Sequence, residues 1–354
     1  MNDQTTRAYQ MVGFDLPLQA NTYPMPVPDG TQVLVKVKGA GVCHSDLHIQ
    51  DGHYDLGSGE KMSFEGRIQF PFTPGHETTG AVVALGPDAS GIKVGTNAVV
   101  CSWVGCGSCA HCKQGNEHLC GAPNFIGVNK PGGYSDYVMV PHPRYLIELG
   151  DLDPVKAAPM SCSGLTTYSA LRKFGSILKD LPLVILGAGG LGLMATGLMG
   201  KLDFAAPVVV EIDTAKRSAA LKAGASAAID PKDPDAAQQI RDAVGQPVLA
   251  VLDLVGSTET AELGLSLIEK GGRIVIVGLL GGDIRIPVPS LPLKAITLQG
   301  SYIGSPAELR ELVTLLREKG LPDTPLDCRP LDQADAALSD LRAGKVIGRV
   351  ILIP

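Results

Sequence analysis

Apolar and polar positions alternate with a period of two in the first part of the chain. The alternation is regular at residues 32–38, and strand-length apolar runs follow at 79–86 and 97–101. A period of two is typical of a strand with one buried face. We therefore predict that the first 160 residues are mostly β-structure. Residues 51–66 show no periodicity, and the sequence predicts a long loop there, of the kind that can cover a site.

From about residue 163 the pattern changes to short apolar runs separated by segments rich in alanine, leucine, lysine and aspartate. The runs recur every 20–30 residues, at positions 182–186, 207–212, 227–230, 248–255, 273–278 and 296–301. Strands that alternate with helices in this way predict a doubly wound parallel sheet. A capping box formed by Ser305 and Glu308, with Pro306 at the first turn, predicts a further helix. The last run, residues 346–353, predicts a strand.

Length and composition favour two domains in a reducing compartment. A chain of 354 residues exceeds the size at which a single core usually stops growing. The net charge of −6 gives no reason to expect a nucleic-acid or anionic-membrane partner. The first seven residues lack the apolar run of a secretory signal, and the uncharged stretch 181–200 is interrupted by Pro182 and several glycines. Eight cysteines in such a chain favour a cytoplasmic protein that uses thiols as metal ligands.

Four of the cysteines lie within fifteen residues, and their spacing lets four thiolates converge on one tetrahedral zinc ion. A disulfide or redox cluster built on the two C-x-x-C steps is the alternative, and the compartment argument disfavours it. Four thiolates leave no open coordination position, so this zinc would be structural. The ligands would be Cys106, Cys109, Cys112 and Cys120. Cys101 and Cys328 receive no role and are interpreted as inert side chains.

A glycine-rich turn lies between a predicted strand and a predicted helix. Its residues are Gly187, Gly189, Gly190, Leu191 and Gly192. In this context the first glycine makes the tight turn, the second lets a pyrophosphate approach the backbone, and the last lets the helix pack on the strand. The phosphates would lie at the N-terminus of the helix. The sequence therefore predicts a dinucleotide-binding site.

Glu211 ends the next predicted strand, 19 residues after Gly192. A carboxylate at this place accepts hydrogen bonds from the adenosine ribose and repels a 2′-phosphate, which predicts NAD and not NADP as the cofactor. A solvated strand end is the alternative interpretation of Glu211.

Three further segments carry histidine and cysteine, and any one of these side chains could be an ordinary core residue. The segments are Cys43-His44-Ser45-Asp46-Leu47-His48, His76-Glu77, and Cys162. Together with the four cysteines and the glycine-rich turn, and in this order, they resemble the zinc-dependent medium-chain alcohol dehydrogenases of the medium-chain dehydrogenase/reductase superfamily. The resemblance covers essentially the whole chain.

The resemblance implies an α/β fold in which a mostly-β, GroES-like catalytic domain accompanies a Rossmann domain with a doubly wound parallel sheet. The catalytic domain would span residues 1–163, with the structural-zinc lobe at about 101–121. The NAD-binding Rossmann domain would span 164–302, and residues 303–354 would return to the catalytic domain. A homodimer or homotetramer is also implied, with the apolar strand at 274–277 as a candidate edge between two Rossmann sheets.

The resemblance also implies a second, catalytic zinc ion, so that each chain would bind two. Cys43, His76 and Cys162 would hold it, leaving one position for water or substrate. Glu77 would be close enough to exchange with that ligand, and Asp46 would orient His76.

Further cofactor contacts follow from the same resemblance. Arg349 would contact the cofactor pyrophosphate, and a surface arginine on a strand is the alternative. His44 and Lys216 are added to the candidate cofactor-binding residues.

The implied reaction is the oxidation of an alcohol, or its reversal, with NAD as the hydride carrier. A Lewis-acid metal lowers the pKa of a bound hydroxyl toward about 7, and hydride passes between the substrate carbon and the nicotinamide. In the family the proton leaves through a hydroxyl and an imidazole, here Ser45 and His48. A polar loop face without a role is the alternative for both residues.

Leu47, Trp103 and Phe125 are the candidate walls of an apolar substrate pocket. They predict a preference for medium-chain or aromatic alcohols over ethanol, and plain core packing is the alternative for Phe125.

Particular residues of the chain disfavour three competing functions. An NADPH-dependent aldehyde or ketone reductase of the same family is disfavoured by Glu211. A zinc-lobed nucleic-acid-binding module is disfavoured by the acidic balance and by the single lysine, Lys113, within the four-cysteine lobe. A catalytically inactive member of the family is disfavoured by the complete set of candidate ligands and relay residues.

Overall fold

Residues 5–354 are described by a computed structural model; residues 1–4, part of the N-terminal segment considered above, lie outside them. The first part of the described chain is mostly β-structure, as predicted. Its strands are β1 (Thr5–Gln10), β2 (Gln19–Pro24), β3 (Val33–Gly41), β4 (His53–Gly57), β5 (Glu60–Ser63), β6 (Glu77–Leu85), β7 (Asn97–Val100), β8 (Tyr137–Val140) and β9 (Leu146–Glu148). Three helices accompany them: α1 (His44–Asp51), α2 (Ala110–Lys113) and α3 (Pro154–Ala157).

The second part alternates strands and helices, and its six-stranded sheet is parallel throughout. The strands are β10 (Val184–Leu186), β11 (Val208–Val210), β12 (Ala227–Ile229), β13 (Ala250–Asp253), β14 (Arg273–Ile276) and β15 (Thr297–Gly300). The helices are α4 (Ser163–Arg172), α5 (Ile177–Asp180), α6 (Gly190–Lys201), α7 (Thr214–Lys222), α8 (Ala236–Val244), α9 (Thr258–Leu267) and α10 (Ser290–Lys294). The strand order β12-β11-β10-β13-β14-β15 is that of a dinucleotide-binding fold, with its switch point between β10 and β13. The predicted doubly wound sheet is confirmed.

The C-terminal segment returns to the first sheet. It contains α11 (Pro306–Lys319), β16 (Leu326–Pro330), α12 (Ala334–Arg342) and β17 (Arg349–Ile353). The predicted capping box is confirmed, because the Glu308 N–H donates to Ser305 Oγ at 3.2 Å and the Ser305 N–H donates to Glu308 Oε2 at 2.7 Å. β17 pairs with β3 and β16, which gives the order β16-β17-β3-β6-β7-β9 with β8 also on β3. The sequence pattern did not predict β16.

One apolar core joins the two large sheets. Buried side chains of β3 (Val35), α4 (Leu165) and β10 (Ile185) belong to the same cluster, and α4 packs against α6. The glycine-rich turn is therefore held at a fixed place beside the first sheet.

The prediction of a long loop at residues 51–66 was wrong. β4 and β5 form an antiparallel hairpin there, and its tip reaches the second part of the chain. The backbone N–H and the hydroxyl of Ser58 donate to Asp283 Oδ2 at 2.8 and 2.7 Å. The hairpin strands are short and largely exposed, so no alternation of buried and exposed residues marked them in the sequence.

The prediction that the strand at 274–277 forms an edge of the Rossmann sheet was also wrong. β14 lies between β13 and β15, and Ile274 and Val275 are buried. Its apolar run reflects burial on both faces and not an exposed edge. The sheet ends on this side at β15, whose residues are partly or fully exposed.

None of the helices in residues 5–354 combines the length and the apolar character that a membrane span requires. The uncharged stretch 181–200 consists of β10, the glycine-rich turn and most of α6.

Candidate active site

Helix α1 begins directly after Cys43 and carries several of the candidate residues. The Cys43 N–H donates to Asp46 Oδ2 at 2.9 Å, so the carboxylate caps the first turn of the helix. The thiol of Cys43 lies at the helix N-terminus, where the dipole favours a thiolate. Ser45 and His48 stand three positions apart on the same helix and therefore share a face.

Four ligand atoms converge beside this helix. Cys43, His76, Glu77 and Cys162 each offer one atom, all four atoms lie within 4.8 Å of one another, and all four residues are buried. Among the described residues, His76 Nε2 has no hydrogen-bond partner although it is buried. A buried ring nitrogen without a partner is costly unless it binds an ion. Two thiols, an imidazole and a nearby carboxylate are a donor set that fits zinc.

The orientation of His76 is fixed from both sides. His76 Nδ1 lies 3.1 Å from Asp46 Oδ1, and because a carboxylate only accepts, Nδ1 is the donor and Nε2 is free to act as a ligand. The hydroxyls of Ser102 and Ser161 donate to the backbone carbonyl of His76 at 2.7 and 2.8 Å. The sequence-predicted role of Asp46 therefore has its geometry in place.

Glu77 forms a buried ion pair with Arg349, a contact that the sequence did not predict. Arg349 Nη2 lies 3.3 Å from Glu77 Oε1, and Arg349 Nη1 donates to the Val42 carbonyl at 3.1 Å. Burial raises the pKa of Glu77 to about 7, although the arginine opposes the shift. A side chain at Gly41 would collide with Glu77 Oε2 at 2.1 Å, so that glycine makes room for the carboxylate.

Arg349 also lies against the glycine-rich turn. A Cβ placed on Gly190 would be 2.9 Å from Arg349 Cζ, and Arg349 Nε is buried without a partner among the described residues. The side chain of His44 has an exposed part. Partial desolvation lowers the pKa of its imidazole, and the positive charges of Arg349 and Lys216 lower it further. Arg349 is thus the predicted cofactor contact that lies against the start of α6.

The turn itself has the geometry that each glycine was predicted to provide. Gly187 has φ +95°, and a Cβ on Gly192 would be 1.9 Å from the Gly187 carbonyl oxygen. A Cβ on Gly189 would meet nothing within 4 Å, so the space above this backbone is open. Glu211 is held at the same turn, since the Ala188 N–H donates to its Oε2 at 2.7 Å.

The four remaining predicted ligands form a second cluster around α2. Sulfur–sulfur distances are 3.5 Å for Cys109–Cys112 and 3.9 Å for both Cys106–Cys112 and Cys109–Cys120. Tetrahedral zinc with bonds of about 2.3 Å places its sulfur ligands about 3.8 Å apart, whereas a disulfide needs about 2.05 Å. The sulfur positions of the lobe therefore fit a zinc ion, and none of these three distances is that of a disulfide.

Comparisons with known proteins identify the family. Residues 29–151 match the family described as "Alcohol dehydrogenase GroES-like domain", and residues 190–318 match "Zinc-binding dehydrogenase". NAD-dependent alcohol dehydrogenases of Sulfurisphaera tokodaii and Saccharolobus solfataricus are each 35% identical over 351 residues, 98% of this chain and 100% of theirs. The crystal structure of the alcohol dehydrogenase from Aeropyrum pernix superposes with a TM-score of 0.87 at 30% identity, covering 98% of this chain and 100% of that one.

The chain belongs to the zinc-dependent alcohol dehydrogenase family. The predicted combination of a GroES-like and a Rossmann-like part is thereby confirmed. The protein is an oxidoreductase whose cofactors are zinc and NAD.

Two of the three predicted pocket residues of this alcohol dehydrogenase lie together at the catalytic cluster. The Trp103 and Phe125 rings are edge to face at 5.2 Å, and the Trp103 ring lies 5.5 Å from that of His76. Trp103 Nε1 donates to the Ser161 carbonyl at 2.8 Å, which fixes the indole. Leu47 is buried on α1 in the same apolar core.

Sequence reasoning missed Tyr54, which lies on the β4–β5 hairpin. Its ring is 4.9 Å from that of His48 and 5.2 Å from that of Phe64. Burial, followed by the nearby Tyr302 and Cys43, raises the pKa of Tyr54. The hairpin thus brings the Tyr54 hydroxyl to the rim of the site. This placement depends on the folded hairpin and could not be predicted from the sequence pattern.

Tyr134 was missed as well. It is fully buried, and its hydroxyl donates to Asp46 Oδ2 at 3.0 Å. Burial first, and then the Asp46 carboxylate, raises the pKa of Tyr134 well above its usual value, so this hydroxyl stays protonated. A signal in the sequence was the flanking Gly132-Gly133, which permits a close approach of this turn to another segment.

Proposed function

We propose that this protein oxidises alcohols to aldehydes or ketones and passes the hydride to NAD. The observation that supports this most is the buried cluster of Cys43, His76 and Cys162 with an unpartnered His76 Nε2, joined through Glu77 and Arg349 to the dinucleotide turn. The proposed zinc site and the proposed NAD site are therefore adjacent, as hydride transfer from a substrate at the zinc site to NAD requires.

Cys43, His76 and Cys162 would hold the catalytic zinc, with Glu77 as the nearby carboxylate. Zinc supplies a Lewis acid for the substrate oxygen when bound there. NAD supplies the hydride acceptor. Two thiolates and a neutral imidazole balance the charge of a divalent ion, so a neutral alcohol and its ionised form can both be bound. The Cys106, Cys109, Cys112 and Cys120 lobe would hold the structural zinc.

The cofactor would lie across the turn between β10 and α6. The backbone at Gly189 leaves space for the pyrophosphate, and Glu211, held at the same turn, would accept from the adenosine ribose. The cations Lys216 and Arg349 and the imidazole of His44 would contact the pyrophosphate. The proposed division places residues 1–163 and 303–354 around the zinc sites and residues 164–302 around NAD.

The substrate would lie between Trp103, Phe125 and Leu47, with Tyr54 and Tyr302 at the rim. Aromatic and long apolar groups gain more from such walls than ethanol does, because more apolar surface leaves water. We therefore propose medium-chain and aromatic alcohols as the preferred class.

The proton would leave along the shared face of Ser45 and His48. Burial lowers the pKa of His48 below its usual 6.5, although Asp51 opposes the shift. The imidazole is therefore neutral at pH 7 and able to accept a proton. In this scheme turnover falls as the pH drops through the His48 pKa, because the protonated ring no longer accepts.

We expect His48→Ala to lower kcat for alcohol oxidation about 10- to 100-fold. This is less than the loss usually caused by removing a general base that acts directly on the substrate, because His48 would act through Ser45. The acidic limb of the pH profile should move, and added imidazole should restore part of the rate. His142→Ala, which changes an exposed histidine elsewhere, is the matched control. An unchanged pH–rate profile for His48→Ala would remove the relay.

A homo-oligomer in the cytoplasm is proposed. The exposed strand β15 and the neighbouring Leu280, Val288 and Leu293, which are 62%, 77% and 74% exposed, offer an apolar edge for a second chain. Free cysteines throughout the described chain agree with a reducing compartment.

The experiment that tests this function is nicotinamide reduction by the purified, zinc-loaded protein. NAD and NADP are offered separately with ethanol, hexanol, benzyl alcohol, a secondary alcohol and a polyol. We expect turnover with NAD, a kcat/KM at least about tenfold higher for benzyl alcohol or hexanol than for ethanol, and loss of activity on zinc removal. A higher kcat/KM with NADP would instead favour the NADPH-dependent reductase.

A further inference from the structure

We propose that Tyr134 is a positioning residue for the catalytic zinc: its hydroxyl holds Asp46, and Asp46 in turn holds the ligand His76. The inference rests on the proposed function, because it concerns the zinc site at Cys43, His76 and Cys162. Tyr134 itself would touch neither zinc nor substrate.

The Asp46 carboxylate is shared among three donors, and its two oxygens are divided between them. Oδ1 accepts from His76 Nδ1 at 3.1 Å, while Oδ2 accepts from the Tyr134 hydroxyl at 3.0 Å and from the Cys43 N–H at 2.9 Å. Tyr134 and His76 are fully buried and Asp46 is 1% exposed, so water does not substitute for a missing donor. The pair of bonds on Oδ2 fixes the rotation of the carboxylate, and that rotation sets the tilt of the His76 ring.

The backbone of Tyr134 is also bound to the segment that carries His76. The N–H groups of Gly132, Gly133 and Tyr134 donate to the carbonyls of Thr73, Gly75 and Pro74 at 2.8, 2.7 and 3.0 Å, respectively. The two stretches thus run side by side up to the residue that precedes the ligand.

Gly75 adds a steric argument. It has φ +99°, and a Cβ at this position would lie 2.4 Å from Tyr134 Cδ1. The Tyr134 ring therefore occupies the space next to the residue before His76. Ring and hydroxyl act on the same ligand, the ring through the backbone of Gly75 and the hydroxyl through Asp46.

Removing the hydroxyl alone separates these two contributions. Tyr134→Phe keeps the ring against Gly75 and leaves Asp46 Oδ2 with only the Cys43 N–H. Loss of the direct hydrogen-bond partner of a metal ligand typically lowers metal affinity or activity by about 10- to 100-fold. Since Tyr134 lies one hydrogen bond further from the metal than Asp46, we expect an effect at the lower end of this range, about tenfold. The fold should be largely retained, because the packing surface of the ring is unchanged.

The test compares the release of zinc from wild type and Tyr134→Phe to a chromophoric chelator. Both zinc ions of each chain are counted, and release from the catalytic cluster is distinguished by its loss in Cys43→Ala. We expect Tyr134→Phe to release the catalytic zinc about tenfold faster and the lobe zinc at the wild-type rate. With Co²⁺ in the catalytic cluster, the visible absorption bands of Tyr134→Phe should shift, since the ligand geometry has changed.

Tyr145→Phe is the matched control. Its hydroxyl is also buried and donates to a carboxylate, Glu117 Oε2, at 2.6 Å, but Glu117 accepts from the Gly105 N–H beside the four-cysteine lobe. This variant should release the catalytic zinc at the wild-type rate. In a double-mutant cycle, Tyr134→Phe should add little to Asp46→Asn, because both interrupt the same path.

Three results would overturn the inference. Equal rates of catalytic-zinc release and equal Co²⁺ spectra in wild type and Tyr134→Phe would show that the hydroxyl positions nothing. Equally fast catalytic-zinc release from Tyr145→Phe would show a general loss of stability. A wild-type chain that holds zinc only in the four-cysteine lobe would contradict the proposed function and this inference with it.

Discussion

Replacement of Cys43 by alanine is expected to lower alcohol oxidation at least about a thousand-fold. The thiol is one of three proposed zinc ligands, and a Lewis acid at the substrate oxygen contributes several kcal/mol, with each ~1.4 kcal/mol equal to a factor of ten in rate. Zinc content should fall from two ions to one per chain. Steady-state assays with NAD and benzyl alcohol measure the first effect, and elemental analysis measures the second.

Cys101→Ala is the matched control for this substitution. Cys101 is buried, even more deeply than Cys43, and lies two residues before Trp103, but it belongs to neither cysteine cluster. Burial raises the pKa of its thiol to about 12, so it is inert at neutral pH. Near-normal turnover of Cys43→Ala, or an equal loss in Cys101→Ala, would contradict the assignment of the catalytic cluster.

Alanine substitutions at two glycines of the dinucleotide turn are expected to have different effects: one should lower stability and the other should weaken NAD binding. A Cβ on Gly192 would be 1.9 Å from a backbone oxygen, so Gly192→Ala should lower the free energy of unfolding by about 3 kcal/mol, the upper part of the usual cost of overpacking. A Cβ on Gly189 would meet nothing within 4 Å, and Gly189 has φ −71°, which alanine adopts easily. Gly189→Ala should therefore fold like wild type.

The cost of Gly189→Ala should fall on the cofactor. Its methyl group would fill the space through which the pyrophosphate approaches the backbone, and hydrogen bonds from N–H groups to charged oxygens are worth about 1.5–3 kcal/mol. The Kd for NAD should rise about 10- to 100-fold. Thermal unfolding and NADH fluorescence titration of the two variants give the comparison; normal cofactor binding by Gly189→Ala would contradict the placement of NAD.

The sequence by itself determined the features that depend on local patterns. The spacing of Cys106, Cys109, Cys112 and Cys120 places four thiols within one short lobe. The backbone of the dinucleotide turn requires glycine at several of its positions, and these glycines are visible in the sequence. The strands of the parallel sheet were found because their apolar runs are buried on both faces. Each of these signals lies within fifteen neighbouring residues, where chain connectivity already limits the geometry.

The tertiary structure decided the contacts between segments that are far apart in the chain. Arg349 meets Glu77, Tyr134 meets Asp46, and Tyr54 meets His48 across a hairpin that has no hydrophobic periodicity. The edge of the Rossmann sheet is β15 and not the more apolar β14, because strand order follows from how the βα units pack. A periodic pattern reports which face of an element is buried, but it carries no information about which distant side chain lies against that face. The proposed zinc ligands and the orienting Asp46 could thus be predicted from the sequence, whereas Tyr134 and the Glu77–Arg349 ion pair became visible only in the folded chain.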